Sequence, residues 1–167
     1  MPQTNSADLM DGARYYEGQL IYAEPGFIFT GFNADTVVLT FGRALVKGTG
    51  DKDLLLPVNG SSILMGIAYH TDIFEKRTGY SLDADGNMGY PLDHTVSYIK
   101  RGTVAVRIDG TVTAGQAAFW RHTAAGAERK GVFRADADTS DAVQIPQSKF
   151  LKSGVAGDIV PLSINLP

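Results

Sequence analysis

The apolar residues of this chain come in short runs, each interrupted by glycine, proline or a polar turn. That pattern leaves little room for amphipathic helices and favours strands. Leu20-Ile21-Tyr22, Phe27-Ile28-Phe29 and Val37-Val38-Leu39 are too short for a helix and rich in β-branched and aromatic residues. Ala44 to Val46, Leu54-Leu55-Leu56 and Ile63 to Ala68 are further strand candidates, separated by turn clusters at Lys47 to Asp51 and Pro57 to Gly60. Alternation is sharpest where Val104, Val106 and Ile108 interleave with Thr103, Ala105 and Arg107, the period of a half-buried strand. One phrase occurs twice. Val112-Thr113-Ala114-Gly115-Gln116 and Val155-Ala156-Gly157-Asp158 each place a turn glycine before an apolar strand.

With 19 glycines in 167 residues, this reads as many short strands joined by tight turns. The expectation is an all-β fold, a single β-barrel or sandwich domain over residues 15–167. The small, polar residues 1–14 read as an extended N-terminal arm. Residues 71–94, polar and glycine-bearing, read as a long loop excursion, the kind of segment that carries contacts.

Charge and composition narrow the function. The formal net charge is −3, with no run of like charges, so neither a nucleic-acid arm nor a membrane-surface patch is expected. The absence of cysteine excludes disulfides, thiolate catalysis and Cys-based zinc sites. The first residues carry no basic and apolar signal-peptide regions, and no apolar stretch approaches the roughly 20 residues of a membrane helix. A soluble protein made in a cytoplasm is expected.

No motif supplies convincing chemistry. Asp83-Ala84-Asp85-Gly86-Asn87 opens like a calcium loop, but Met88 stands where glycine belongs and His94 where a bidentate Glu belongs. A charged turn explains it better. His70, His94 and His122 have no zinc-site spacing. Asp93-His94 near Ser97 has the residue types of a hydrolase triad without a nucleophile elbow. Asp83, Asp85, Asp93, Asp136, Asp138 and Asp141 could supply a glycosidase pair, yet most sit in turn-like contexts. Lys47 to Asp51 is a turn rather than a phosphate loop, and Trp120 reads as a core or interface aromatic. No catalytic residue, metal or cofactor is expected.

Several blocks, taken in order, resemble a known family: Phe41 to Thr49, Leu64 to Ala68, Val96 to Val104, Val112 to Gln116, Gly131 to Asp138 and Leu162 to Pro167. Together they resemble the structural cement, or capsid decoration, proteins of tailed-bacteriophage heads. The resemblance implies an all-β, non-catalytic virion protein on the outer capsid surface. It also implies binding to the major capsid protein and self-association, expected as a homotrimer. A phage tail or baseplate β-module, or a glycan- or receptor-binding virion protein, is the alternative. Contact residues are expected in two regions. The arm offers Met10, Tyr15 and Tyr16 to the shell, and the excursion offers Phe74, Tyr80 and Tyr90 to a neighbouring subunit or the shell.

Overall fold

The structure is a computed structural model that describes residues 15–71, 81–124 and 129–167, with residues 22–27 described by their backbone alone. It is all-β. The strands are β1 (Leu20–Asn33), β2 (Leu39–Thr40), β3 (Ala44–Lys47), β4 (Asp53–Leu55), β5 (Leu64–Ala68), β6 (Ser81–Leu82) and β7 (Met88–Tyr90). There follow β8 (Thr95–Arg107), β9 (Phe119–Arg121), β10 (Phe133–Arg134), β11 (Ala142–Gln144), β12 (Lys149–Phe150) and β13 (Ile159–Asn165).

The main sheet closes on itself. Its order is β1-β4-β3-β5-β8-β13-β12, and β1 also pairs with β8, so β1, β4, β3, β5 and β8 form a ring. The long β8 makes this possible. One edge runs antiparallel to β1, while the other serves β5 through Tyr98 and Ile99 and β13 from Arg101 to Arg107. Closure removes the open edges that make sheets prone to aggregate. Two small sheets, β10-β9-β11 and β2-β7-β6, cover the flanks.

Two features depart from the reading of the sequence. Leu20-Ile21-Tyr22 and Phe27-Ile28-Phe29 are one strand, not two. Tyr22 pairs with Thr103 and Phe27 with Arg101, so the backbone of residues 23–26 bulges opposite Gly102 alone. Gly102 has φ 139, a conformation that glycine tolerates best. Pro25-Gly26 therefore marks a bulge inside a strand rather than a turn between strands. The other difference is the burial of β8. Thr103 and Ala105 are 7% and 0% exposed, so this stretch is covered on both faces rather than half-buried. The chain just before β1 continues the pairing with β8: the Ala105 N–H donates to the Gln19 carbonyl and the Gly18 N–H to the Ala105 carbonyl.

Burial on both faces divides the interior in two. Val46, Ile67, Ile99, Val104, Val106, Trp120, Phe133, Phe150 and Leu162 belong to one core, between the ring, β13 and the β9 sheet. Leu39, Phe41, Leu45, Leu54, Ala68, Tyr90, Val96 and Tyr98 form the other, under β2 and β7. Neighbours such as Leu45 and Val46, or Ala68 and Ile67, serve opposite cores because strand side chains alternate. Trp120, 2% exposed, is a core residue.

The repeated glycine phrase is one turn used three times. The Thr113, Val155 and Tyr16 N–H groups each donate to the side-chain oxygen of the residue three positions on (Gln116 at 2.7 Å, Asp158 at 2.9 Å, Gln19 at 3.3 Å). In return, the N–H of that residue donates to the carbonyl of the first. Gly115, Gly157 and Gly18 sit third in these turns with φ of 90, 95 and 80. The turn at Tyr16-Glu17-Gly18-Gln19 opens β1 and fixes where the chain enters the barrel.

Candidate functional site

Three features stand out. The first is a line of rings leading from surface to interior. Tyr16, 50% exposed, meets His70 edge-on at 4.6 Å; His70 lies 4.6 Å from Phe41, and Phe41 lies 5.1 Å from Tyr90. The turn before β1 presents Tyr16, while β2 and β7 hold the inner rings. Tyr15, Tyr16, His70, Asn87, Met88 and Arg107 line a shallow depression here of about 280 Å³.

This line joins Tyr15 and Tyr16 to Tyr90, residues the sequence assigned to separate regions. It also corrects the role of Tyr90. That ring is 1% exposed and offers no surface to a partner. Its hydroxyl donates to the Tyr69 carbonyl, with the Ser97 carbonyl at 3.2 Å, and burial raises its pKa. Tyr90 is buried because residues 81–90 form the hairpin of β6 and β7, paired to β2, instead of a free excursion. Met10, Phe74 and Tyr80 lie outside the described residues.

The second feature is an ionic centre under that hairpin. Glu17 is ion-paired with Arg107 and lies 4.0 Å from Arg43 Nη2. Arg43 is 2% exposed, and among the described residues its Nε, Nη1 and Nη2 have no hydrogen-bond partner. Desolvation lowers the Arg43 pKa against the opposing pull of Glu17. Asp83 is saturated within the hairpin turn: its carboxylate accepts the backbone N–H groups of Asp85 at 2.9 Å and Asn87 at 2.8 Å, and the Asn87 side-chain amide. Burial raises the Asp83 pKa, but these hydrogen bonds outweigh it and the net shift is downward. The calcium-like phrase is thus a hairpin turn whose first carboxylate is spent on its own backbone. Among the described residues no three His, Asp or Glu side chains gather as a metal site.

The third feature is apolar exposure on β1. Ile28, Phe29 and Phe32 are 45%, 40% and 40% exposed. Ile28 and Phe29 point to opposite faces, so both faces of the strand are uncovered here. Phe29 stacks on Tyr98 at 5.9 Å, and Lys100 Nζ stands 5.3 Å from its ring centroid. The signal was present in Phe27-Ile28-Phe29, three apolar residues without alternation, which a strand with one wet face does not need.

Away from these, Arg121 and Arg134 gather Asp109, Asp136 and Asp138 into one network. Asp138, Thr139 and Ser140 have φ of 41, 55 and 84, a left-handed run that aims the Asp138 carboxylate at both arginines. Asp85 is held by Arg129 at 3.2 Å. Four of the carboxylates that might have formed a hydrolytic pair are thereby engaged in turns and ion pairs.

The network has a pH signature. The Arg121 hydrogen bond, with the charges of Arg134 and Arg121, holds the Asp138 carboxyl below its ordinary 3.8. A lowered folded-state pKa means the unfolded chain takes up the proton first. Its stabilisation is therefore complete above pH 3.8 and lost as pH falls through the folded value. Melting temperatures measured from pH 7 down to pH 2 should fall below pH 3.8, and Asp138→Asn should melt lower at pH 7 and flatten that acid limb. An unchanged limb in the variant would remove Asp138 as its source.

A family model described as structural cement protein (E217 gp24/Pam3 gp6) matches residues 6–165. A chain from the solved structure titled "The capsid of Myoviridae Phage XM1" has the same fold. Its TM-score is 0.66 at 18% identity, over 90% of each chain. No curated protein matches. No described helix is long and apolar enough to cross a membrane.

Proposed function

Since this chain belongs to the structural cement protein family of bacteriophage heads, we propose that it binds the outer surface of the assembled major-capsid-protein shell and stabilises capsomer junctions without catalysis. The observation carrying this reading is the β1 surface, where Ile28, Phe29 and Phe32 remain uncovered on an otherwise well-covered ring. Large apolar side chains exposed close together on one strand mark an interaction site. Tyr16, half-exposed at the entry to the barrel, adds an aromatic anchor, with Tyr15 beside it. The carboxylates engaged in turns and ion pairs support a structural role over a hydrolytic one.

The protein acts as a homotrimer in this reading. A closed oligomer presents several copies of the same modest patch, and once one is engaged the others bind at high effective concentration. Weak contacts then suffice against the outward pressure of packaged DNA. The test is a comparison of heads assembled with and without the protein. Heads containing it should show its density on the outer shell by cryo-electron microscopy and should withstand higher temperature before releasing DNA. Density on the tail, or heads equally stable without it, would overturn the proposal.

A further inference from the structure

The ring closes through a short stretch of β1, which pairs with β4 through Phe32 and Asn33. The register of β1 with β8 is unbroken from Ile28 to Phe32. In an antiparallel pair, alternate residues direct their N–H and C=O groups to opposite edges. The Asn33 N–H donates to the His94 carbonyl on the β8 side at 2.9 Å, and the Phe32 N–H donates to the Lys52 carbonyl on the β4 side at 2.8 Å. Counting back, Phe29 and Gly31 face β8, whereas Ile28 and Thr30 face the same way as Phe32. Ser97, opposite Thr30, agrees: its carbonyl accepts the Tyr69 N–H, on the side of β8 away from β1. Among the described residues no strand meets Ile28 or Thr30 on the β4 side. Their N–H and C=O groups form an open edge.

Strand edges are usually blunted by charge, proline or a bulge. Residues 23–26 bulge and include Pro25, but Ile28-Phe29-Thr30-Gly31 carries no charge. Ile28 and Phe29 are exposed on opposite faces beside this edge. A partner laid on one face would leave the other uncovered, whereas a strand added at the edge stands beside both. A second copy of β1 fits poorly. Running antiparallel about Phe29, it would set each copy's bulge, at residues 25 and 26, opposite the other's Asn33 and Phe32, where Lys52 already occupies the edge. A slim segment that turns away beside Thr30 avoids Lys52. We propose that the Ile28–Thr30 edge of β1 takes an added strand from the shell protein. The segment is extended and uncharged; its backbone exchanges hydrogen bonds with Ile28 and Thr30, and its apolar side chains alternate between the Ile28 and Phe29 faces. The proposal rests on the reading that this protein binds the shell, and adds backbone pairing as the mode of binding.

Hydrogen exchange read residue by residue tests this, on the free full-length chain and on the chain bound to heads that lack it. The Ile28 and Thr30 amides should exchange fast in the free protein and slow by about tenfold or more on heads, while Phe29 and Gly31 are slow in both. Thr30→Pro removes the outward N–H and leaves the pairing with β8 in place, as edge proline does. It keeps Ile28, Phe29 and Phe32, and should weaken binding to heads about tenfold, the effect of a lost hydrogen bond and a ring in the path of the incoming strand. If Thr30→Pro does not fold by circular dichroism, the exchange result alone decides. Bound wild-type protein whose Ile28 and Thr30 amides stay fast, or a folded Thr30→Pro that binds undiminished, would overturn the added strand and leave the shell-binding reading standing. Slow exchange of both amides in the free protein overturns it too, because the edge is then already occupied. Failure of the wild-type chain to bind heads removes that reading and this proposal together.

Discussion

Arg121→Ala should destabilise the protein by about 3–5 kcal/mol in equilibrium denaturant unfolding, because it strands buried charge rather than merely removing a contact. Arg121 is fully buried, and its guanidinium holds Asp109 and Asp138 and also donates to the Thr123 carbonyl at 3.3 Å. Asp109 is itself mostly covered, and among the described residues its Oδ1 has no hydrogen bond, with Arg134 at 3.8 Å. Without Arg121, Asp109 would face the interior with little compensation. The network also spans elements: Asp109 follows β8, Arg121 lies on β9 and Arg134 on β10. Its loss should therefore loosen the β10-β9-β11 sheet from the ring. Replacing Arg121, Asp109 and Asp138 together by alanine should cost less than the sum of the single changes, since no charge is then left alone. A single Arg121→Ala effect below about 1 kcal/mol would place this network with ordinary surface ion pairs.

The second large effect concerns binding. Phe29→Asp with Phe32→Asp should weaken binding to heads lacking the protein by at least about a hundredfold, if each ring is worth a typical aromatic anchor. Each ring is 40% exposed, Phe29 is stacked on Tyr98 and aspartate is a poor strand residue, so the double variant should melt lower, and its binding is compared at a temperature where it is folded. Both carboxylates would have to be desolvated in an apolar contact. Co-sedimentation with purified heads measures the loss directly. Retained binding by a folded double variant would move the contact surface away from β1, leaving the Tyr15–Tyr16 entry as the next candidate.

Much of the architecture was legible because strands announce themselves locally. Short β-branched runs, glycine turns and the twice-used turn phrase identified an all-β chain, and β3, β4, β5 and β13 fall within or beside the predicted runs. Less legible was whatever depends on what lies across the sheet. Pro25 and Gly26 read as a break between two short strands, and only the pairing of their neighbours with Arg101 and Thr103 makes residues 23–26 a bulge. Tyr90 looked like a contact residue in a polar loop, and only the pairing of β7 with β2 buries it.

The amino-acid sequence by itself determined the class of fold, the lack of a recognisable catalytic motif and, through ordered blocks from Phe41 onward, the kinship with phage cement proteins. Tertiary structure alone decided which charges are buried and which apolar side chains are not. Arg43 and Arg121 look like any surface arginine in the chain, and Phe29 and Phe32 look like core. Period and propensity are local properties of a strand. Burial depends on which distant strand closes over it, and here β8, shared among β1, β5 and β13, made that choice.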